Sequence, residues 1–513
     1  MYTQLRKRGQ LPVIFLDIVK AFDRVPHPHL LHKIHVDAGI TGKAWGWLKA
    51  FLSNRLFRVR QGQDSSDWFP ATAGVPQGCV LSPLLFAIYI NDIVDLLEVI
   101  LALFADDGAG WPAPRHGMRP SSQYARLHEL LAHIDEWSAR WGLDFSVDKS
   151  QWILFTNKLS PSLPSRSLCL RGENELEQVD HYKYLGLTFQ SDGKWHAQFN
   201  AVATKAKNTA NLISRICSRN SPPITVANLV KYILIPQIAY GFAFWRPNKS
   251  QIKALTQIIA TPLRFALSLH RSASAIRVLW EFAIPTASSL RLRCFLQSIS
   301  RAMRSALVGD RYLPSLLQDD FKDVPSSIAK KSPPKYCRSL KAELDEIQAI
   351  FPLATRLPLI KKHIDSICKA SMRREWRTLS TAKGRAVKPV LDRPRYISVD
   401  PKPIVCIRAR LRLGSALTPK RRFIYGLAIN NKCECGRVGD TDHILLHCKR
   451  LTKERLVCSN HLLALSPSVV LTRDIILGLP PHPYHKTFIK QYHEQCLYYT
   501  GKFIEAIDRR FHL

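Results

Sequence analysis

Asp17 closes the apolar run Leu11–Leu16, and Asp23 follows shortly in Leu16-Asp17-Ile18-Val19-Lys20-Ala21-Phe22-Asp23. A second acidic pair, Asp106-Asp107, lies between Leu103-Phe104-Ala105 and Gly108–Trp111, the position of a tight turn in an otherwise apolar hairpin. An acid closing a strand has to be capped or exposed, and adjacent acids repel each other. Divalent cations answer that need. Mg²⁺ (or Mn²⁺) takes hard oxygen ligands, a few protein carboxylates and substrate phosphates for the remainder. Two such ions, clamping the attacking and leaving oxygens, serve nucleotidyl transfer. The plain alternative is a polar turn and an unrelated strand-end acid.

A second donor set is Cys433-Glu434-Cys435-Gly436, followed by His443 and Cys448. Soft thiolates with one imidazole suit a tetrahedral, structural Zn²⁺, and Gly436 permits the tight turn between ligands. The alternative is a set of buried free thiols. Cys458 reads as a bystander, and most remaining cysteines sit singly in apolar settings, as Cys169, Cys217 and Cys294 do, like buried thiols in a reducing compartment. His27, His29, His32 and His35 fall on a helix at mixed spacing and read as ordinary surface or core side chains.

The elements that must position these groups alternate through the first 190 residues. Leu11–Leu16 reads as a buried strand, and His29–Ala38 and Thr41–Leu52 as helices. Leu56–Gln61 and Asp67–Thr72 read as a strand pair. Ser82–Leu97 reads as a helix with Pro83 in its first turn. Val99–Phe104 and Gly108–Trp111 form a hairpin around the Asp-Asp turn. Ser122–Trp141 is helical, and strands follow at Trp152–Phe155 and Tyr184–Phe189. This order predicts an α+β fold, an antiparallel sheet covered by helices on one face. From about residue 195 the pattern is helical: Trp195–Arg219, Ile224–Ala243, Gln251–Leu267 and Thr286–Leu307. Arg311–Pro334 and Val387–Pro403 are Pro-rich and read as linkers or exposed loops.

Asp-x-x-x-Ala-Phe-Asp at Asp17–Asp23, then Gly74-Val75-Pro76-Gln77-Gly78-x-Val80-Leu81-Ser82-Pro83-Leu84-Leu85-Phe86, then Phe104-Ala105-Asp106-Asp107, then Lys149, then Tyr184-Leu185-Gly186 is an ordered series. It resembles the palm of reverse transcriptases, above all those of non-LTR (LINE-like) retrotransposons. The resemblance implies a right-hand polymerase palm followed by an all-α thumb and a helical C-terminal region with a small zinc-binding module. It implies RNA-directed DNA polymerase activity with Mg²⁺ (or Mn²⁺) held by Asp17, Asp106 and Asp107. It places the Ile18 backbone at the metal, Phe22 under the sugar to exclude a 2′-OH, and Gln77 and Gly78 against the incoming nucleotide and template. Lys149 would stand near the pyrophosphate, and Tyr184, Leu185 and Gly186 would grip the primer. Cys433, Cys435, His443 and Cys448, with Asp442-His443-Ile444-Leu445, resemble the C-terminal Cys-Cys-His-Cys module of the same elements. RNA template, DNA primer or target and dNTPs are the implied partners, and the nucleus the implied location. Cys79 stands where Ser is usual and Ser146 where Asn often precedes the Lys. Only 16 residues precede Asp17, where the family places fingers, so the chain reads as 5′-truncated. The alternative is a catalytically dead nucleic-acid-binding remnant. Group II intron and retron enzymes share the palm but do not predict the Cys-Cys-His-Cys module.

Composition agrees with such partners. The 513 residues carry 74 Lys+Arg against 40 Asp+Glu, a formal charge of +34, and 46% hydrophobic residues exclude wholesale disorder. The excess lies almost wholly after residue 200, and no acid occurs between Asp192 and Glu281. A segment so charged calls for an anionic partner, and nucleic acid is the natural one. Arg408, Arg410 and Arg412, then Lys420-Arg421-Arg422, fall in a second acid-free stretch between Asp400 and Glu434 and read as a backbone-binding patch. Leu84–Ala105 and Leu229–Trp245 are broken by Asp92, Asp95 and Glu98 and by Pro236, so no membrane span is expected and the chain reads as soluble and intracellular. The expected divisions are 1–190 (palm), 191–310 (thumb and basic helices), 311–404 (variable helical or linker region), 405–460 (zinc module) and 461–513 (C-terminal helices).

Overall fold

The computed structural model describes residues 9–94, 99–113, 118–156, 158–172, 174–217, 221–307, 361–380, 394–467, 469–478 and 486–513. The expected loop Arg311–Pro334, most of the 311–404 region and residues 387–393 of the expected loop Val387–Pro403 lie outside them. The chain divides into two compact units, Met1–Gln198 and Phe199–Leu513.

The first unit is built on the strand Gln10–Asp17, whose apolar side chains alternate between two buried faces. Ile14 and Leu16 join a core with Leu30, Ile34, Phe86, Leu127 and Ile134, contributed by the helices His27–His35, Ser82–Ile90 and Pro120–Trp141. Leu11, Val13 and Phe15 point to the other face and pack with Ile153, Phe155, Tyr182, Tyr184 and Phe189. Burial on both faces is why this strand reads as an unbroken apolar run. It is the middle of five. Glu177–Gln178 and Gln151–Thr156 lie to one side, Asp107–Pro112 and Val99–Phe104 to the other. The pairings are antiparallel except at the edge, where Glu177–Gln178 runs parallel to Gln151–Thr156. The expected purely antiparallel sheet is corrected on that point.

The expected single strand at Tyr184–Phe189 is instead a hairpin, His181–Tyr184 against Leu187–Gln190. Leu185 and Gly186 form its turn with φ of 47° and 76°. Two central residues at positive φ match the twist of the flanking strands, and the glycine makes the second inexpensive. The expected strand pair at 56–72 divides into two short pairings, Leu56–Phe57 with Phe69–Pro70 and Arg60–Gln61 with Asp64–Ser65.

The second unit is helical among its described residues, apart from an isolated bridge between Lys432 and Val438. Lys205, Lys207, Arg215, Lys231 and Lys253 of the acid-free stretch are exposed, as a charged surface requires. No described helix is long and apolar enough to cross a membrane.

The arginine stripe of the helix Lys402–Arg412 is not such a surface. Arg408 is fully buried: its Nε lies 2.9 Å from Asp400 Oδ2, and its other nitrogens donate to the carbonyls of Ile476 and Leu497 and to Thr500 Oγ1. Arg412, also buried, donates to Glu281 Oε1 at 2.6 Å and to Leu477 O at 3.0 Å. Tyr396 donates its hydroxyl to the same Glu281 carboxylate. These arginines tie four chain segments together and cannot meet a phosphate backbone. Removing one partner of a buried pair strands the other charge. Arg408→Ala is therefore expected to destabilise the second unit by about 3–5 kcal/mol, read by thermal or denaturant unfolding. The salt slope of nucleic-acid binding, measured below the transition, is expected to stay unchanged.

Candidate functional site

Strand register brings the first acids together. Asp17 stands directly opposite Asp107, and Phe104 opposite Asp107 across the hairpin whose turn is Ala105–Asp106. Directly opposed residues of an antiparallel pair share a face, so the Asp17 and Asp107 side chains emerge together. Ala105 takes a left-handed conformation (φ 53°), and Ile18 N–H donates to Asp106 O at 3.2 Å, which fixes the turn beside the first strand. Asp17 is held by its own backbone: its N–H donates to Ser150 Oγ at 3.2 Å, and its carbonyl accepts from Ser146 N–H at 2.8 Å.

The charge is unbalanced. Asp17 Oδ2 is shielded from solvent and accepts no hydrogen bond, and its nearest cation is Lys149 Nζ at 3.3 Å on a side chain 70% exposed. Burial, then Asp106, then Asp17, push the Asp107 carboxyl above its ordinary range. Burial chiefly, with Asp107 and Asp17 adding, pushes the Tyr182 hydroxyl up to about 12. Tyr182 stacks on Phe15 at 4.3 Å and donates to Lys149 O. Three acids, a shielded oxygen without a donor and one exposed lysine fit a site for hard cations.

Phe22 stacks on Phe86 at 4.9 Å and, with Pro83, Leu103, Phe104 and Ala105, lines a cleft of about 450 Å³. The loop carrying Gln77 and Gly78 is sewn alongside: Gly74 N–H donates to Val25 O at 2.8 Å, Val75 N–H to Phe22 O at 2.7 Å, and Gln77 Nε2 to Asp23 Oδ1 at 2.9 Å. Gly74 has φ +89°, and a Cβ there would meet Asp23 O at 2.7 Å, so only glycine fits. Tyr184 directs its hydroxyl to Ala102 O, leaving Leu185 and Gly186 at the tip of their hairpin. Sequence reasoning missed Ser150 and Tyr182. The Ser beside Lys149 and the Tyr two residues before Tyr184 are the signals that could have found them.

The four expected zinc donors converge in the second unit. Cys433, Cys435, His443 and Cys448 place their donor atoms within 4.8 Å of one another, and they are the one such group of three or more among the described residues. The carboxylates share a face and a turn without being gathered so tightly. Cys433 Sγ and Cys448 Sγ are 3.7 Å apart, and Cys435 Sγ and His443 Nε2 3.1 Å. A tetrahedron with Zn–S of about 2.3 Å has an S···S edge of about 3.8 Å. Cys433 N–H donates to Arg437 O and Gly436 N–H to Cys433 O, with Gly436 at φ +88°, a turn that points both thiols inward. Burial lowers the His443 pKa, keeping the imidazole neutral as a ligand must be. Cys458 donates to Tyr499 O and stays outside the group. Cys433 and Cys448 belong to one core with Ile404, Leu462, Ile476, Phe503 and Ile507, so the stretch 405–460 shares its core with residues on either side.

Residues 2–189 match the family described as reverse transcriptase (RNA-dependent DNA polymerase). Over 261 residues, 49% of the chain, the sequence is 30% identical to the RNA-directed DNA polymerase from mobile element jockey of Drosophila melanogaster, covering 28% of that protein. It is 30% identical over 258 residues to the probable RNA-directed DNA polymerase from transposon BS of the same fly, covering 47% of the chain and 28% of the relative. It is 31% identical over 243 residues to that from transposon X-element, also of Drosophila melanogaster, covering 45% and 25%. The aligned stretches thus span about a quarter of the length of these relatives. The N-terminal unit carries a reverse-transcriptase domain. The relatives to which the chain is similar are RNA-directed DNA polymerases of a mobile element and of transposons.

A carboxyl whose folded pKa lies above its unfolded value costs stability once ionised; the penalty is absent well below the unfolded value, about 3.9, and complete above the folded one. In metal-free buffer, Asp107→Asn is therefore expected to raise the melting temperature at neutral pH, with the gain vanishing on acidification to about pH 3. A melt series across that range checks it.

Proposed function

We propose that the chain is the polymerase portion of a LINE-like element, an RNA-directed DNA polymerase that adds deoxynucleotides to a primer 3′-OH on an RNA template. The observation that carries this reading is the register Asp17 opposite Asp107 with Asp106 in the adjoining turn. Asp17, Asp106 and Asp107 would hold Mg²⁺ (or Mn²⁺), which when bound neutralises the phosphates and the attacking and leaving oxygens. The remaining work is positioning, as phosphoryl transfer demands. Phe22, braced on Phe86, would lie under the sugar and reject a 2′-OH, while Gln77 and Gly78 meet the nucleotide and template. Lys149, exposed and already beside Asp17, would put positive charge where the pyrophosphate leaves. The Tyr184-Leu185-Gly186 turn would hold the primer strand, and the Ile18 backbone supports the metal-side end of the first strand. The exposed lysines after residue 200 would bind RNA template and DNA target, in the nucleus where chromosomal DNA lies.

Asp106→Asn is expected to lower Mg²⁺-dependent primer extension on RNA by at least about 100-fold, a loss of several kcal/mol of transition-state stabilisation. A variant that extends primers as fast as its parent sinks the assignment. Cys433, Cys435, His443 and Cys448 would hold one structural zinc. Elemental analysis of the purified chain is expected to give one zinc per chain, and Cys435→Ser to lose most of it. Because metal binding to such a set is folding free energy, chelation is expected to lower the melting temperature of the second unit.

A further inference from the structure

We propose that the arm between the helix Gly42–Leu52 and Gly74 is a binding site for single-stranded nucleic acid, distinct from the carboxylate centre. Every residue from Leu56 to Pro70 is exposed. The arm is held by its two short pairings, by Ser66 N–H donating to Val59 O and Val59 N–H to Ser66 Oγ, both at 2.9 Å, and, at its root, by Ala71 N–H donating to Arg55 O at 2.8 Å. Yet it carries large rings: Phe57, Trp68 and Phe69 are 50%, 58% and 49% exposed, and Trp47 on the adjoining helix 57%. Phe57 and Phe69 stand directly opposite each other with ring centres 6.0 Å apart, and large exposed rings gathered in this way mark a binding surface.

The rings are interleaved with cations. The Arg58 guanidinium lies 4.8 Å from the Trp68 ring centre, Arg55 5.6 Å from Phe51, and Lys49 Nζ 5.1 Å from Trp45. Among the described residues, none of Lys43, Lys49, Arg55, Arg58 and Arg60 has an acidic partner within 4.0 Å. Between Lys43 and Phe69 these bases face two acids, Asp64 and Asp67. An apolar protein face would bury these cations unpaired, at a cost. A duplex offers phosphates but keeps its base faces stacked inside. A single strand offers both, bases to stack on exposed rings and phosphates to meet the cations. The site is defined by this surface chemistry and holds whether or not the chain polymerises.

The test is fluorescence anisotropy of the full chain with labelled oligo(U) and oligo(dT) of about 15 nucleotides, and with a duplex of equal length. Trp68→Ala and Phe57→Ala are each expected to weaken single-strand binding about tenfold and to leave duplex binding unchanged. Both side chains lie outside the cores, so the melting temperature should hold. Arg58→Gln, which keeps the rings, is expected to reduce the slope of log K against log salt by about 0.7, the value for one phosphate of a single strand. Ultraviolet crosslinks of oligo(U) should map to Trp68 and its neighbours, and preference between the RNA and DNA probes shows which strand the arm takes. Unchanged single-strand affinity in the ring variants, an equal loss on duplex, or a dimer of the parent chain abolished by Trp68→Ala would each overturn the proposal.

Discussion

The pairing of Gln10–Asp17 with Asp107–Pro112 is the constraint on which the first unit depends. It sets Asp17 against Asp107 and hangs Asp106 in the adjoining turn, so folding has to hold like charges together. What holds them is the apolar run behind them, buried on both faces. The second strand of the pair contributes by having little side chain. A Cβ on Gly108 would come within 3.3 Å of Leu16, and one on Gly110 within 2.6 Å of Leu130, so Gly-Ala-Gly lets the helix Pro120–Trp141 close on the sheet. The electrostatic cost at one end of the strand is offset by hydrophobic burial along the rest.

The two faces of that sheet divide the labour. Helices on one face make the rigid platform, and the hairpin His181–Gln190 on the other brings Tyr182 and Tyr184 against Phe15 and next to the acids. The loop Gly74–Gly78 is tied by backbone bonds to Phe22 and Val25, so the aromatic that lines the cleft and the loop beside it share one support. A site held by packing and backbone bonds keeps its geometry without the groups it would bind, which is what positioning catalysis needs.

In the second unit, basic residues serve opposite ends. Lys205, Lys207 and Lys253 keep their charge in solvent. Arg408 and Arg412 spend theirs inward, on Asp400, Glu281 and carbonyls of distant segments. The planar guanidinium suits this, since it is weakly hydrated and presents several donors in a fixed fork. The Cys-Cys-His-Cys group lies in the same apolar core as the helix that carries these arginines, so ligand geometry and helix packing support each other.

By itself the sequence determined whatever depends on neighbours along the chain. The apolar run ending in Asp17, the helix begun at Pro83 and the spacing from Cys433 to Cys448 are local patterns, and each appears where periodicity and turn chemistry put it. The hairpin turn expected at Asp106-Asp107 falls one residue earlier, at Ala105–Asp106, and leaves Asp107 in the strand. Local pattern left the break at Leu185–Gly186 open, because a lone glycine within a strand run marks a bulge as readily as a turn; in the structure both limbs of the hairpin pack on Phe15 through Tyr184 and Phe189. Nor could it show that Leu56–Pro70 stands exposed while Arg408 is buried. An aliphatic-aromatic run ordinarily seeks a core and an arginine ordinarily seeks water. Which of them is covered depends on Ile476, Leu497 and Thr500, residues 68, 89 and 92 positions from Arg408 in the chain. Only the tertiary structure brings such partners together, since a buried charge is tolerated only where distant groups complete its hydrogen bonds.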